Sequence, residues 1–235
     1  MNRDKMQKHV SEIFFPLEGK VRKGALKIKV CGMRDPENIA GIASGGPDFM
    51  GFIFYPKSKR FTGFDAQTEI LNAFPEKIQK VGVFVNETPE QIFATSRVWK
   101  LDAIQLHGQE TPDNCRQIQY SVLPVFKAFS IDESFDFEIL KAYQDYCDYF
   151  LFDTKGQFPG GTGQKFNWAL LEDYQLDVPF FLSGGIGPDD VESIRNFRHP
   201  QLFGIDINSG FEISPGLKDI EKVRKFISEI KSDIV

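Results

Sequence analysis

The chain has 235 residues, 41% of them hydrophobic and 26% charged, a balance that suits a globular protein with a substantial core. Its net charge of −5 argues against nucleic acid as a partner, while leaving room for a small anion held at a local positive site. No apolar run approaches the ~20 residues that cross a bilayer. The stretch 1–15 is too polar for a signal peptide, and Cys31, Cys115 and Cys147 are too scattered for a disulfide framework or a zinc site, so the expected address is the reducing cytoplasm.

Residues 1–25 read as an N-terminal extension and 26–235 as one catalytic domain. The first strand-length run is "LKIKVCG" (26–32), followed by "DPENIAGIA", a helix with Asp35 as cap and Pro36 at its first position. "DFMGFIFY" (48–55) and "KIQKVGVFVN" (77–86) are the next two strands, and "TPEQIFATS" opens a helix with Thr-Pro. "LDAIQLHG" (101–108) precedes a second Thr-Pro helix, "TPDNCRQI". Then come "SVLPVFKAF" (121–129), "DYFLFDT" (148–154), "VPFFLSGG" (178–185) and "LFGIDINSG" (202–210). A helix across "SPGLKDIEKVRKFISEI" follows, by its apolar spacing. Eight strands alternating with helices predict parallel βαβ units closing into a (β/α)8 TIM barrel, with an open doubly wound sheet as the alternative. The 24 phenylalanines read as core packing.

A barrel of this kind keeps its chemistry at the C-terminal ends of the strands. There the runs carry Cys31-Gly32, Tyr55, Asn86, His107-Gly108, Phe129-Ser130, Asp153, Ser183-Gly184-Gly185 and Asn208-Ser209-Gly210. Three glycine segments, "GGTG" (160–163), "SGGIG" (183–187) and "NSG" (208–210), suit backbone N–H groups closing on phosphate oxygens. Alternation places Lys29 inside the barrel below Cys31, with Ile28 and Val30 facing the helices. Lys29 needs a partner, and Asp206 in strand eight is the nearest by sequence; its positive charge is expected to favour a Cys31 thiolate. Cys31 and Asp153 on opposing walls suit a base and an acid acting across one substrate. In the loop "YPKSKRFT", Arg60 is the choice for a planar carboxylate, because its fork gives two parallel hydrogen bonds.

From 26 to 232 the chain resembles the phosphoribosylanthranilate isomerases of tryptophan biosynthesis. The likeness rests on "KVCGMRDPENI", "GFIFYPKSKRFT", "VGVFVNETPEQI", "LDAIQLHGQE", "FLFDTKGQFPGGTGQKFNW", "FFLSGGIGPDDV" and "GIDINSGFEISPGLKD". The resemblance implies an Amadori rearrangement of N-(5-phosphoribosyl)anthranilate with Cys31 as general base and Asp153 as general acid. It further implies Arg60, His107 and Asp206 around the substrate, and Gly161, Gly163, Gly184, Gly185, Asn208, Ser209 and Gly210 around its phosphate. Asn208 departs from the family pattern, where serine is more usual. No cofactor or metal is expected, the partner is a small molecule with neither nucleic acid nor membrane, and the assembly is a monomer or homodimer. The rival readings are an isomerase of histidine biosynthesis and a non-catalytic sugar-phosphate-binding barrel; binding alone would need neither Cys31 nor Asp153.

Overall fold

The computed structural model describes residues 26–65, 70–71, 74–154 and 166–232; the expected extension and the segment with Gly161 and Gly163 lie outside them. Eight parallel strands close into a barrel in sequential order: β1 (Lys27–Val30), β2 (Phe49–Ile53), β3 (Gln79–Phe84), β4 (Ala103–Leu106), β5 (Val125–Ile131), β6 (Tyr149–Thr154), β7 (Phe180–Leu182) and β8 (Leu202–Ile207). Each falls within its expected run, except that β5 continues past it to Ile131. The strands are apolar along their length because a parallel sheet is covered on both faces.

Closure depends on β1 pairing with β8, in a register that sets Lys29 beside Asp206. Ile28 and Val30 face outward into the layer between barrel and helices, as alternation requires. Inside, Phe49, Val81, Ala103, Phe126, Tyr149, Leu151 and Phe181 plug the lower barrel. The Phe126 and Phe181 rings stack at 5.2 Å, and Phe49 meets Phe181 edge-on at 5.5 Å. Everything above this plug is free to be polar.

The first described helices follow the start signals. In α1 (Pro36–Ala43), α2 (Pro89–Trp99) and α3 (Pro112–Ile118), the side chains of Asp35, Thr88 and Thr111 accept from the third residue beyond, with proline at the first position. Elsewhere the expectation of regular helices needs correction. The described crossover from β5 to β6 contains a 3₁₀ segment, Phe137–Ala142, and that from β6 to β7 another, Trp168–Asp173, each opened by an Asp or Asn cap. A short α4 (Val191–Asn196) precedes β8.

The expected helix from Ser214 is also corrected. Residues Glu212–Ser214 (β9) and Leu217–Lys218 (β10) form an antiparallel hairpin around the Pro215-Gly216 turn, and α5 starts only at Ile220, capped by Asp219. Pro-Gly ends one direction of the chain here. The hairpin places Glu212 directly across from Lys218. Among the described residues no helix is long and apolar enough to cross a membrane.

Candidate active site

At the C-terminal ends of the strands lies an open cleft. Cys31, Arg60, His107, Asp153, Gly184, Gly185, Asp206, Asn208 and Ser209 all line it. Nine expected site residues therefore converge on one place. Lys57 and Lys59, from the same loop as Arg60, are exposed and do not.

Cys31 leaves β1 with its sulfur against Gly51 of β2, where an added Cβ would stand 2.7 Å from it and 3.1 Å from Lys29 Nζ. Glycine at 51 is what makes room for the thiol. Lys29 is fully buried and donates to Asp206 Oδ1 at 2.9 Å, the pairing that alternation predicts. Burial pushes the Cys31 thiol up; Lys29 works against this, but burial prevails. Lys29 thus acts in the expected direction, toward the thiolate, and burial outweighs it. Its ammonium is shared with Asp206. Burial likewise raises the Asp206 carboxyl, with Lys29 opposing.

Across the cleft, Asp153 Oδ1 accepts from the Thr154 backbone N–H at 2.9 Å, and Oδ2 lies 3.3 Å from His107 Nε2. The other imidazole nitrogen, Nδ1, is 2.7 Å from Gln105 Nε2, so Gln105 on β4 sets the ring's orientation from below. Gln105 is buried, and nothing at its position in "LDAIQLHG" marked it out beyond its inward phase.

Arg60 is paired more fully than the sequence suggests. Its Nε and Nη2 donate to Glu212 Oε1 and Oε2 at 2.8 and 2.6 Å. Glu212 also accepts from Lys218 Nζ at 2.8 Å and from the Gly216 N–H at 3.0 Å. Burial works to raise the Glu212 carboxyl, yet the Arg60 hydrogen bonds and the Lys218 charge outweigh it and hold the group at about 2. Lys218 is pulled down by burial, with Glu212 opposing, and its Nζ donates to Asn208 Oδ1 at 2.6 Å. Gly32, at φ +74°, lets this network press against the first strand's turn: a Cβ there would meet Arg60 Cδ at 2.7 Å and Asn208 Oδ1 at 2.8 Å. Sequence reasoning missed Glu212 and Lys218. The Pro-Gly turn between them was the available signal.

The glycine turns follow β7 and β8. Gly184 and Gly185 both have positive φ, +88° and +64°, and neither backbone N–H donates to another described residue. A Cβ on Gly184 would lie 2.2 Å from Thr154 Oγ1, so the turn is packed against the end of β6. Ser209 and Gly210 open a 3₁₀ turn directly after Asn208, and Gly210 fits closely over the Ile186 carbonyl. Among the described residues no group of three or more His, Cys, Asp or Glu side chains is placed to hold a metal ion.

A thiol, a carboxyl group, a guanidinium and two glycine turns thus share one cleft at the C-terminal rim of a (β/α)8 barrel, the place where this class of fold carries its active sites. Comparison with known proteins gives the family. The family model described as N-(5'phosphoribosyl)anthranilate (PRA) isomerase matches residues 28–229, and the chain belongs to this family. It is 49% identical to the N-(5'-phosphoribosyl)anthranilate isomerase of Parabacteroides distasonis over 86% of this chain and 92% of that one. With the same enzyme of Phocaeicola vulgatus it shares 46% over 88% and 98%. Among solved structures, the phosphoribosyl anthranilate isomerase of Thermotoga maritima superposes with a TM-score of 0.79 at 34% identity, covering 88% of this chain and 99% of that one. A further solved isomerase, 33% identical with a TM-score of 0.76 and the same coverage, is in complex with reduced 1-(o-carboxyphenylamino)-1-deoxyribulose 5-phosphate.

Proposed function

We propose that this chain catalyses the Amadori rearrangement of N-(5-phosphoribosyl)anthranilate to 1-(2-carboxyphenylamino)-1-deoxyribulose 5-phosphate in tryptophan biosynthesis, with Asp153 as general acid and Cys31 as general base. The observation that carries this reading is the convergence of Cys31, Asp153 and Arg60 with the glycine turns on one cleft of a chain in this family.

The substrate's two anionic ends set its direction in the cleft. The phosphate lies over the N–H groups of Gly184 and Gly185 with Asn208, Ser209 and Gly210 beside them; Gly161 and Gly163, which the resemblance also assigns to the phosphate, lie outside the described residues. The anthranilate carboxylate lies toward Arg60. Between the ends, Asp153 delivers a proton to the ribose ring oxygen, the C1′–O bond breaks, and the nitrogen lone pair forms the protonated imine. Cys31 then removes the C2′ proton, and the electrons of the C–H bond neutralise the iminium nitrogen to give the enol-amine. Tautomerisation yields the ketone. Atoms and electrons balance within one molecule, so the step consumes no second substrate.

Burial of Cys31 gives the base a condition. A buried thiol must lose its proton before it can accept one from carbon, and the Lys29 and Lys218 charges near it favour that loss. His107, hydrogen-bonded between Gln105 and Asp153, orients the acid. In this reading residues 26–235, within which all these groups fall, are the catalytic domain, and 1–25 are an N-terminal extension of the sequence. Three free, buried cysteines fit a cytoplasmic address. Every group named comes from one chain, so a monomer or a homodimer serves equally.

The test is a fluorescence assay following consumption of freshly made phosphoribosylanthranilate. Cys31→Ser and Asp153→Asn should each lower kcat by roughly 10²–10⁴-fold, the usual worth of a positioned acid or base, while remaining folded. Undiminished turnover in either folded variant removes that residue from the mechanism.

A further inference from the structure

We propose that Glu212 and Lys218 are positioning residues for the carboxylate end of the substrate: Glu212 fixes Arg60 by one edge, and Lys218 cancels the charge that Glu212 brings. The inference rests on Arg60 reading that carboxylate, as proposed above.

A guanidinium has five N–H donors arranged as a fork on each of two usable edges. Glu212 takes the edge formed by Nε and Nη2. The edge with Nη1 bonds to no described residue, and it belongs to a side chain that lines the cleft. One carboxylate already held does not prevent a second from binding. It aims the remaining edge.

The charge is the harder problem. An Arg60–Glu212 pair alone is neutral, so an incoming carboxylate on the other edge would meet repulsion from Glu212 roughly half as strong as its attraction to Arg60. Lys218 changes the sum. With two cations and one anion the cluster carries a net +1, which matches one substrate carboxylate. Neither Lys218 nor Glu212 lines the cleft; their side chains are 0% and 6% exposed, behind Arg60. The hairpin fixes them as cross-strand partners, and the Gly216 N–H and Asn208 Oδ1 hold the two in place. Of the other charges nearby, Lys29 and Asp206 neutralise each other, while Lys57, Lys59 and Arg34, which lies against the Gly216 turn, are exposed to solvent.

A hairpin ion pair that served only to hold the fold would look similar at rest, and a charge-balance cycle separates the two. The ligands are reduced 1-(o-carboxyphenylamino)-1-deoxyribulose 5-phosphate and the same compound without its carboxyl group, with affinities measured by calorimetry on the full chain. Lys218→Met should weaken the carboxylated ligand roughly 10- to 100-fold and change the other less than about 2-fold. Adding Glu212→Gln to Lys218→Met should restore at least about 5-fold, because Arg60 regains an unopposed charge. Lys218→Gln, which keeps a donor without the charge, should behave as Lys218→Met and serves in its place if that variant unfolds. A double variant no better than Lys218→Met, or equal weakening of both ligands, overturns the proposal. If Arg60→Ala abolishes the preference for the carboxylated ligand while Lys218→Met preserves it, only the positioning role falls. If Arg60→Ala preserves the preference, the carboxylate reading of Arg60 falls, and this inference with it.

Discussion

Replacing Lys29 with methionine should unfold the protein more readily than any comparable surface change. Lys29 is fully buried and Asp206 nearly so, 2.9 Å apart, and among the described residues Ser183 Oγ, at 3.5 Å, is the hydrogen-bond partner of the second carboxylate oxygen. Removing the lysine leaves Asp206 charged in the barrel without a counter-ion, a change that costs about 3–5 kcal/mol. For a domain of this size each kcal/mol moves Tm by about 2–4 °C, so a loss of about 4 kcal/mol lowers Tm by roughly 8–16 °C. Acid should relieve the defect, because the stranded carboxyl can take up a proton and bury neutral. Thermal unfolding followed by circular dichroism at pH 8 and pH 5 therefore reads a large deficit at the higher pH and a smaller one at the lower. Lys29→Met with Asp206→Asn should recover most of the loss, since the pair is then removed together. A single variant within about 1 kcal/mol of wild type, or a deficit that does not shrink in acid, refutes the claim that this pair is desolvated and mutually dependent.

The Glu212 carboxyl, held at about 2 against an ordinary 4.5, contributes stability that is present above its unfolded value and lost as pH falls through about 2. That shift corresponds to about 3 kcal/mol. Urea titrations should accordingly show a stability loss between pH 5 and pH 2 that is smaller by about that amount in Glu212→Gln; equal losses would count against it. Gly184→Ala meets both a left-handed φ of +88° and a Cβ 2.2 Å from Thr154 Oγ1, so it should cost about 2–6 kcal/mol and weaken inhibition by inorganic phosphate. Gly46→Ala, at φ +68° with open space around it, should lose only about 1–2 kcal/mol, and similar losses at the two positions would contradict the packing argument.

Much of this architecture is legible in the sequence because a closed parallel barrel writes a regular signature. Each strand is a buried apolar run, and each ends in a group that the ring delivers to the same rim. Lys29 and Asp206 could be paired from alternation alone, since closure forces strand one against strand eight. Other features had no such constraint. Phe137–Ala142 and Trp168–Asp173 are too short and too tightly wound to show helical spacing. At Pro215-Gly216 the apolar spacing of α5 masked a turn signal, which hid the hairpin and with it Glu212 and Lys218. The bond from Arg60 to Glu212 spans 152 residues and leaves no local trace. The proton on Cys31 depends on how deeply the thiol is buried relative to the charge beside it, a quantity fixed only by packing.

The pairing of β1 with β8 has a consequence for when the site can first be complete. Lys29 and Asp206 are 177 residues apart, and non-local contacts of that kind form late in folding. Cys31 is synthesised before its neighbours Asp206, Asn208 and Lys218, which follow it by 175 to 187 residues. A chain holding only seven strands leaves β1 on an open sheet edge, with Lys29 lacking its Asp206 partner and Asn208 and Ser209 missing from the cleft. Ring closure is therefore what completes both the buried ion pair and the rim of the site.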